Sequence, residues 1–297
     1  MILVDFNQVL IASVSAGHAS FGSDLNPNMI RHMFLNSMFS IERRFAKKYG
    51  DIVVCCDGSN IWRKDAFKYY KAKRKEGRDK SPLNWAMIFD TMDKIRTEIT
   101  ESFPWKLVIA HKAEGDDVIA VITKYLQENE LVSEGLFESP QPIIIVSADL
   151  DFVQLQVYQS VDQWTPMFKK LIIEKNPTEY RFNKIIRGDA GDGVPNMFSE
   201  DAVLVTEGAR QKACLKKRVE PILTALVNGE EPPFESDEDR VNYARNAEMI
   251  DLVNHSIPQD IVDNIISEYE NATMAPRAKM FTYFIKHRMG NLAKQLK

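Results

Sequence analysis

Carboxylates recur in this sequence wherever a buried strand would end. Asp5 closes Ile2-Leu3-Val4-Asp5 and Asp57 closes the apolar run at 51–57. Asp149 and Asp151 follow Ile143-Ile144-Ile145-Val146, while Glu114, Asp116 and Asp117 open a helical pattern just after the apolar stretch at 105–110. In an open parallel sheet, ligands bind in the crevice outside the carboxyl ends of the strands. Acids gathered there repel one another, and burial raises their pKa unless a cation intervenes. Hard oxygen donors of this kind select Mg²⁺ or Mn²⁺, and no His/Cys cluster competes for a softer metal. Any one of these acids could be a helix cap or a solvated loop residue. Their repetition at successive strand ends is what argues for a site.

The elements that must position them follow from the hydrophobic pattern. Short apolar runs at 2–6, 51–57, 105–110 and 142–146 alternate with helical spacing over 28–48, 84–101 and 116–127. This is the signature of a mostly parallel sheet covered by helices on both faces. Residues 161–175 fit a hairpin around Pro166-Met167, and the remainder reads as helices joined by loops. Residues 229–239 hold six acids and two prolines, which predicts an exposed loop. The expected fold class is α/β, with a helical C-terminal part.

A second feature stands beside the Asp57 strand end. From Arg63 to Lys80 there are nine Lys/Arg and three Asp/Glu, a net of +6, although the 297-residue chain as a whole carries −4. Read as one helix over 62–74, Arg63, Phe67, Lys71 and Arg74 fall within about an 80° arc. Cations and aromatics on one face can clamp phosphates and stack on a terminal base. The same stretch alone could equally be a solvated basic helix with its aromatics packed inward. Its place beside the acids favours the functional reading, because a metal–carboxylate site acting on a phosphate needs cations on the far side of the substrate. Residues 77–81 are polar and are expected to be mobile.

Other chemistries find no support. Residues 189–200 have the length of a calcium-binding EF-hand loop, but Val194 stands where glycine is required and glycines replace two oxygen ligands. No dinucleotide or P-loop glycine motif and no G-x-S-x-G elbow is present. Asp149-Leu150-Asp151 alone could be the D-x-D of a sugar transferase, but the other acids would then go unexplained. Hydrophobic residues make up 44% and charged residues 27%, which suits a globular chain with a sizeable core. Three cysteines without a C-x-x-C exclude a zinc ribbon and a disulfide scaffold and fit a reducing compartment. With no signal-like start and no apolar run near bilayer length, a cytoplasmic protein without membrane contact is expected.

Taken in order, Ile2-Leu3-Val4-Asp5-Phe6-Asn7, Trp62-Arg63…Tyr70-Lys71…Arg74, Glu114-Gly115-Asp116-Asp117, Ser147-Ala148-Asp149-Leu150-Asp151-Phe152 and Gly188-Asp189-Ala190-Gly191-Asp192 resemble the flap endonuclease/5′→3′ exonuclease superfamily, and within it the T-even-type phage RNase H branch. The resemblance runs over nearly the whole chain. It implies a PIN-like nuclease core over 1–187, with a basic arch or gate near 62–83, and a helical DNA-binding subdomain over 188–297. It also implies two Mg²⁺ (or Mn²⁺) ions. Asp5, Asp57, Asp116 and Asp149 would form the tighter site and Asp151, Asp189 and Asp192 the second, with Glu114 and Asp117 serving directly or through water. Arg63 and Lys71 match the basic pair that contacts the scissile phosphate and Arg74 the next basic position; Phe67 and Tyr70 complete the expected nucleic-acid contacts.

The implied activity is 5′→3′ exonuclease and flap endonuclease cleavage of DNA, and of RNA primers on DNA, in phage-type replication. The substrates would be 5′ flaps, nicks and annealed primers, with a single-strand-binding protein or sliding clamp as possible partners of a monomer in the host cytoplasm. A PIN-type ribonuclease and a non-catalytic, structure-specific DNA-binding protein are the alternatives. Asp192 is followed by Gly193-Val194-Pro195-Asn196 and no Gly-x-Gly turn. The family's helix–turn–helix and its K⁺ ion are therefore left open for this chain.

Overall fold

A computed structural model describes residues 1–129, 131–134, 137–254 and 256–294. The elements in chain order are β1 (Ile2–Asp5), α1 (Phe6–Phe21), α2 (Pro27–Tyr49), β2 (Ile52–Cys56), α3 (Trp62–Ala66), α4 (Arg74–Asp79), α5 (Trp85–Ser102), β3 (Lys106–Ile109) and α6 (Gly115–Asn129). After these come β4 (Leu131–Glu134), β5 (Phe137–Pro140), β6 (Ile143–Val146), a 3₁₀ stretch (Leu150–Val157), β7 (Val161–Thr165), β8 (Lys170–Ile172) and α7 (Pro177–Arg187). The chain closes with α8 (Lys216–Asn228), α9 (Asp237–Ile250), α10 (Gln259–Asn271), α11 (Arg277–Lys286) and α12 (Gly290–Ala293).

The main sheet runs β3-β2-β1-β6-β7-β8. Every pairing in it is parallel except β7 with β8, which form the expected hairpin. β1 sits between β2 and β6, with Ile2 opposite both Ile52 and Ile144. Successive connections diverge on either side of β1, so the crevice at its carboxyl end is the topological switch point. Alternation along the strands divides the core. Val4, Val54 and Val146 face a layer built from α1, α2, α5 and α11. Leu3, Val53 and Ile145 face α6, the 3₁₀ stretch, α9 and α10. Burial on both faces explains why the strands read as unbroken apolar runs.

The C-terminal helices thus cover both faces of the sheet. α11 docks through aromatic rings: Phe284 lies 5.7 Å from Phe39 and 6.0 Å from Phe103, which stacks on Trp105 at 4.8 Å. A smaller core of Ile186, Met197, Phe198, Val219 and Ile222 joins α7 to α8. No helix among the described residues is long and apolar enough to cross a membrane.

Three expectations need correction. The 62–74 stretch is not one helix. α3 stops at Ala66, Phe67 turns extended, and a run of turns leads to α4. The acidic loop ends at Ser236, whose hydroxyl accepts from the amide of Asp239, so 237–239 form the first turn of α9. Acids favour a helix N-terminus, and the prolines that begin the stretch mask this change of character. Finally, α1 and the β4–β5 hairpin add to the expected elements. Among the described residues no helix begins between Gly188 and Lys216; the chain runs there through turns.

Candidate active site

The switch point collects the strand-end acids. Asp5 stops β1 and caps α1: one carboxylate oxygen accepts from the Gln8 amide at 3.0 Å, the other from the Ser147 hydroxyl at 2.9 Å. Burial pushes its pKa up to about 6 against those two hydrogen bonds, and Asp57 and Asp149 add repulsion. Asp57 accepts from the Gly115 amide at 2.7 Å and the Asn7 side-chain amide at 2.5 Å. Asp149 caps the 3₁₀ stretch through the Asp151 amide at 2.9 Å. Burial raises Asp116 well above the usual carboxylate range; Lys71 opposes this while Asp5, Asp149 and Glu114 reinforce it. Four segments of sequence therefore bring Asp5, Asp57, Asp116 and Asp149 into one electrostatic neighbourhood.

Asp151, Asp189 and Asp192 line the adjoining cleft together with Asp116, Arg63 and Tyr70. Burial lifts Asp151 to about 6, with Asp149 adding to the rise and Lys184 opposing it. Lys184 is a site residue that motif reasoning does not reach. Its Nζ stands 2.7 Å from Asp151 and 2.8 Å from Asp189, and these carboxylates raise its pKa against the cost of burial. The available signal is a lysine in the last turn of a helix whose following segment carries Asp189.

The base of the basic segment is a buried network. Arg63 is 2% exposed; its guanidinium lies 3.1 Å from Glu114 and 2.7 Å from Asp117, and its Nε donates to the Met249 carbonyl at 3.0 Å. Trp62 and the Glu114 amide both donate to Asp117, at 3.0 and 2.9 Å. Lys71 Nζ reaches Glu114 at 2.6 Å and Asp192 at 3.4 Å, Tyr70 donates to Glu114 at 2.7 Å, and Arg74 pairs with Asp192 at 2.5 Å. Lys71 and Arg63 hold the Glu114 carboxyl below its ordinary range although burial pushes the other way.

These contacts revise several roles. Arg63 lines the cleft but is held by Glu114, Asp117 and the Met249 carbonyl, so in this arrangement it braces the site. Asp117 is wholly buried; one of its oxygens accepts from Trp62 and the Glu114 amide and the other faces Arg63, so it braces that cation. Phe67 and Tyr70 are each 5% exposed, packed inward, and offer no ring face for a base to stack on. Lys71, with a tenth of its side chain exposed, and the half-exposed Arg74 are the cations of this group that pair with Asp192, an acid that lines the cleft.

Asp5, Asp57, Asp116 and Asp149 form no ion pair with lysine or arginine among the described residues. Their crowded, underneutralised oxygens suit a hard divalent cation. Among the described residues no group of three or more His, Cys, Asp or Glu side chains stands as placed so that it could hold a metal ion. The donors fit in kind, and hydrogen bonds within the protein hold several of them.

This fold has counterparts among known proteins. Residues 2–183 match the 5′-3′ exonuclease N-terminal, resolvase-like domain family, and residues 178–297 match the family described as T4 RNase H, C terminal. The chain belongs to the 5′→3′ exonuclease family. It is 31% identical over 301 residues to Ribonuclease H of Enterobacteria phage T4, spanning 99% of this chain and 94% of that protein. Among solved structures it resembles the T5 5′-exonuclease bound to divalent metal ions (zinc), with a TM-score of 0.60, 15% identity, and coverage of 92% of this chain and 98% of that one. It also resembles the bacteriophage T5 flap endonuclease in a pseudo-enzyme–product complex with DNA and metal ions, at TM-score 0.59 and 14% identity over 91% and 99% of the two chains. At such identities these structures establish the common fold.

Proposed function

We propose that this chain is a divalent-metal-dependent 5′-nuclease that hydrolyses phosphodiesters of DNA, and of RNA primers annealed to DNA, near 5′ ends during replication. The observation that carries the reading is the convergence of Asp5, Asp57, Asp116 and Asp149 at the switch point, with Lys71 near enough to Asp57 and Asp116 for its charge to oppose the effect of their burial. The family assignment supports it, as do the DNA and metal ions bound by the T5 enzyme.

In this reading Asp5, Asp57, Asp116 and Asp149 would hold one Mg²⁺, and Asp151, Asp189 and Asp192 a second. Such ions supply an activated water and neutralise charge on the attacking and leaving oxygens. The protein's own part is to hold the acids at fixed positions and to present Lys71 toward the phosphate. Lys71 would stabilise negative charge on the non-bridging oxygens, and Arg74 would steer the strand. Lys184 bridges Asp151 and Asp189, opposing the rise that burial imposes on Asp151 and helping to hold Asp189 below its ordinary range. The exposed Arg210, Lys212 and Lys217, in the turns after Gly188 and at the start of α8, would meet the duplex backbone.

Digestion of 5′-flap, nicked and RNA-primed duplexes with and without Mg²⁺ tests the reading, with products sized on a sequencing gel. Cleavage should vanish in excess chelator. Asp149→Asn should abolish it while branched DNA still binds, because the change removes a ligand and a charge that repels phosphate. Near-normal turnover of that variant, or full cleavage under chelator, overturns the reading.

A further inference from the structure

Lys71 adopts a left-handed backbone conformation, φ +55°, that residues bearing a Cβ rarely adopt. A long-range contact fixes it there. The Lys71 amide donates to the carbonyl of Asp192 at 2.7 Å. The next residue, Gly193, has φ +80°, and a Cβ built on it would stand 2.5 Å from the Tyr69 carbonyl oxygen and 3.3 Å from the Lys71 nitrogen. The main chain of 69–71 therefore rests directly on Gly193, with no room for a side chain between them.

The seat is firm. Asp189 and Val194 exchange two backbone hydrogen bonds of 2.8 Å, closing the loop between them. The Asp189 carboxylate accepts from the amides of Gly191 and Asp192 at 2.9 and 3.2 Å. On the other side of the contact, the Asp192 carboxylate lies 3.2 Å from the Tyr70 hydroxyl, 3.4 Å from Lys71 Nζ and 2.5 Å from Arg74. Main chain and side chain thus hold the same short segment to the same turn.

We infer that Gly193 is a positioning residue: its bare backbone lets the 189–194 turn act as the seat that sets Lys71, and so aims Nζ into the acid cleft. This rests on the reading of Lys71 as the cation that meets the scissile phosphate. A side chain at 193 would lift the segment and withdraw the amine without altering its charge.

The test is a double-mutant cycle on the full chain with a 5′-flap duplex, read as single-turnover rate at saturating enzyme and as dissociation constant in Ca²⁺. Gly193→Ala should lower the rate by ~10²-fold, the scale of a misplacement of about 1 Å, with little change in the dissociation constant. In a Lys71→Ala background the same substitution should cost almost nothing more, because both changes remove one function. Full additivity would mean that Gly193 acts through other groups, and it overturns the inference. Near-normal turnover of Lys71→Ala alone would remove the reading beneath it, and the inference with it. Residue-resolved hydrogen exchange on the unaltered protein gives an answer even if Gly193→Ala does not fold. The Lys71 amide should be strongly protected relative to that of Lys73; exchange at the rate of a free amide overturns the seat.

Discussion

Lys71 and Lys73 are two residues apart and carry the same charge, yet their surroundings assign them different work. Lys71 is nearly enclosed between Glu114 and Asp192, whereas Lys73 is exposed. Lys71→Ala should cost ~10²-fold or more in single-turnover rate, the usual scale for removing a fixed charge from a transition state, with affinity nearly unchanged. Lys73→Ala should leave the rate alone and weaken binding slightly, as removal of one phosphate neighbour does. Equal weakening of binding by both would make this segment a plain electrostatic surface. Arg63 gives a contrasting prediction. Its removal leaves Asp117 buried without a cation and Glu114 with Lys71 alone, so Arg63→Ala should destabilise the fold by ~3–5 kcal/mol, seen as a lowered denaturation midpoint. An unchanged midpoint would show that the buried pairs do not form. The positions of the acids can be read from the chain because apolar runs mark the strand ends. The enclosure of Arg63 cannot, since Glu114 lies 51 residues away and a basic run looks solvated from its composition.

At the scale of elements, the 62–74 segment shows how tertiary contacts override periodicity. Its spacing is good helical spacing, and a helix would place cations and aromatics on one stripe. Instead Phe67 and Tyr70 drop into the core beneath α6, Tyr70 bonds to Glu114, and the Lys71 amide is claimed by Asp192. No local pattern encodes a hydrogen bond between segments 121 residues apart. α1 is illegible for a different reason: its Ser, Gly and His residues blur the apolar stripe. α11 reads as helix, but nothing local names its partner. Phe284 is wholly buried against Phe39 and Phe103, and Tyr283 donates to Glu98 at 2.6 Å, which also pairs with Arg31. Phe284→Ala should therefore destabilise by ~3–5 kcal/mol, the usual effect of emptying an aromatic site in a packed core. It should leave the reaction at saturating enzyme intact at low temperature. If the variant melts with the parent, α11 is not anchored to the sheet as described.

For the whole molecule the question is how a chain of net charge −4 holds a polyanion. The excess cations are local. One group lies at 63–80. A second, five Lys/Arg and no acid over 210–218, runs from the irregular stretch before α8 into its first turn. There Arg210, Lys212 and Lys217 are exposed and form no ion pair among the described residues, whereas Lys216 and Arg218 are tied to Glu220, Glu235 and Asp239. Each such cation that neutralises a phosphate releases about one counterion, and the slope of log affinity against log salt shrinks by roughly 0.9 for every phosphate no longer neutralised. Replacing Arg210, Lys212 and Lys217 together by Ala should therefore flatten that slope by nearly 3 and weaken duplex binding most at low salt. Flap cleavage at saturating enzyme should be unaffected, because these residues stand apart from the acid cleft. Measuring affinity for a plain duplex in Ca²⁺ over a salt series, beside the single-turnover rate, checks both halves. An unchanged slope would place the duplex on another face, and an abolished rate would tie this stretch to the chemistry itself.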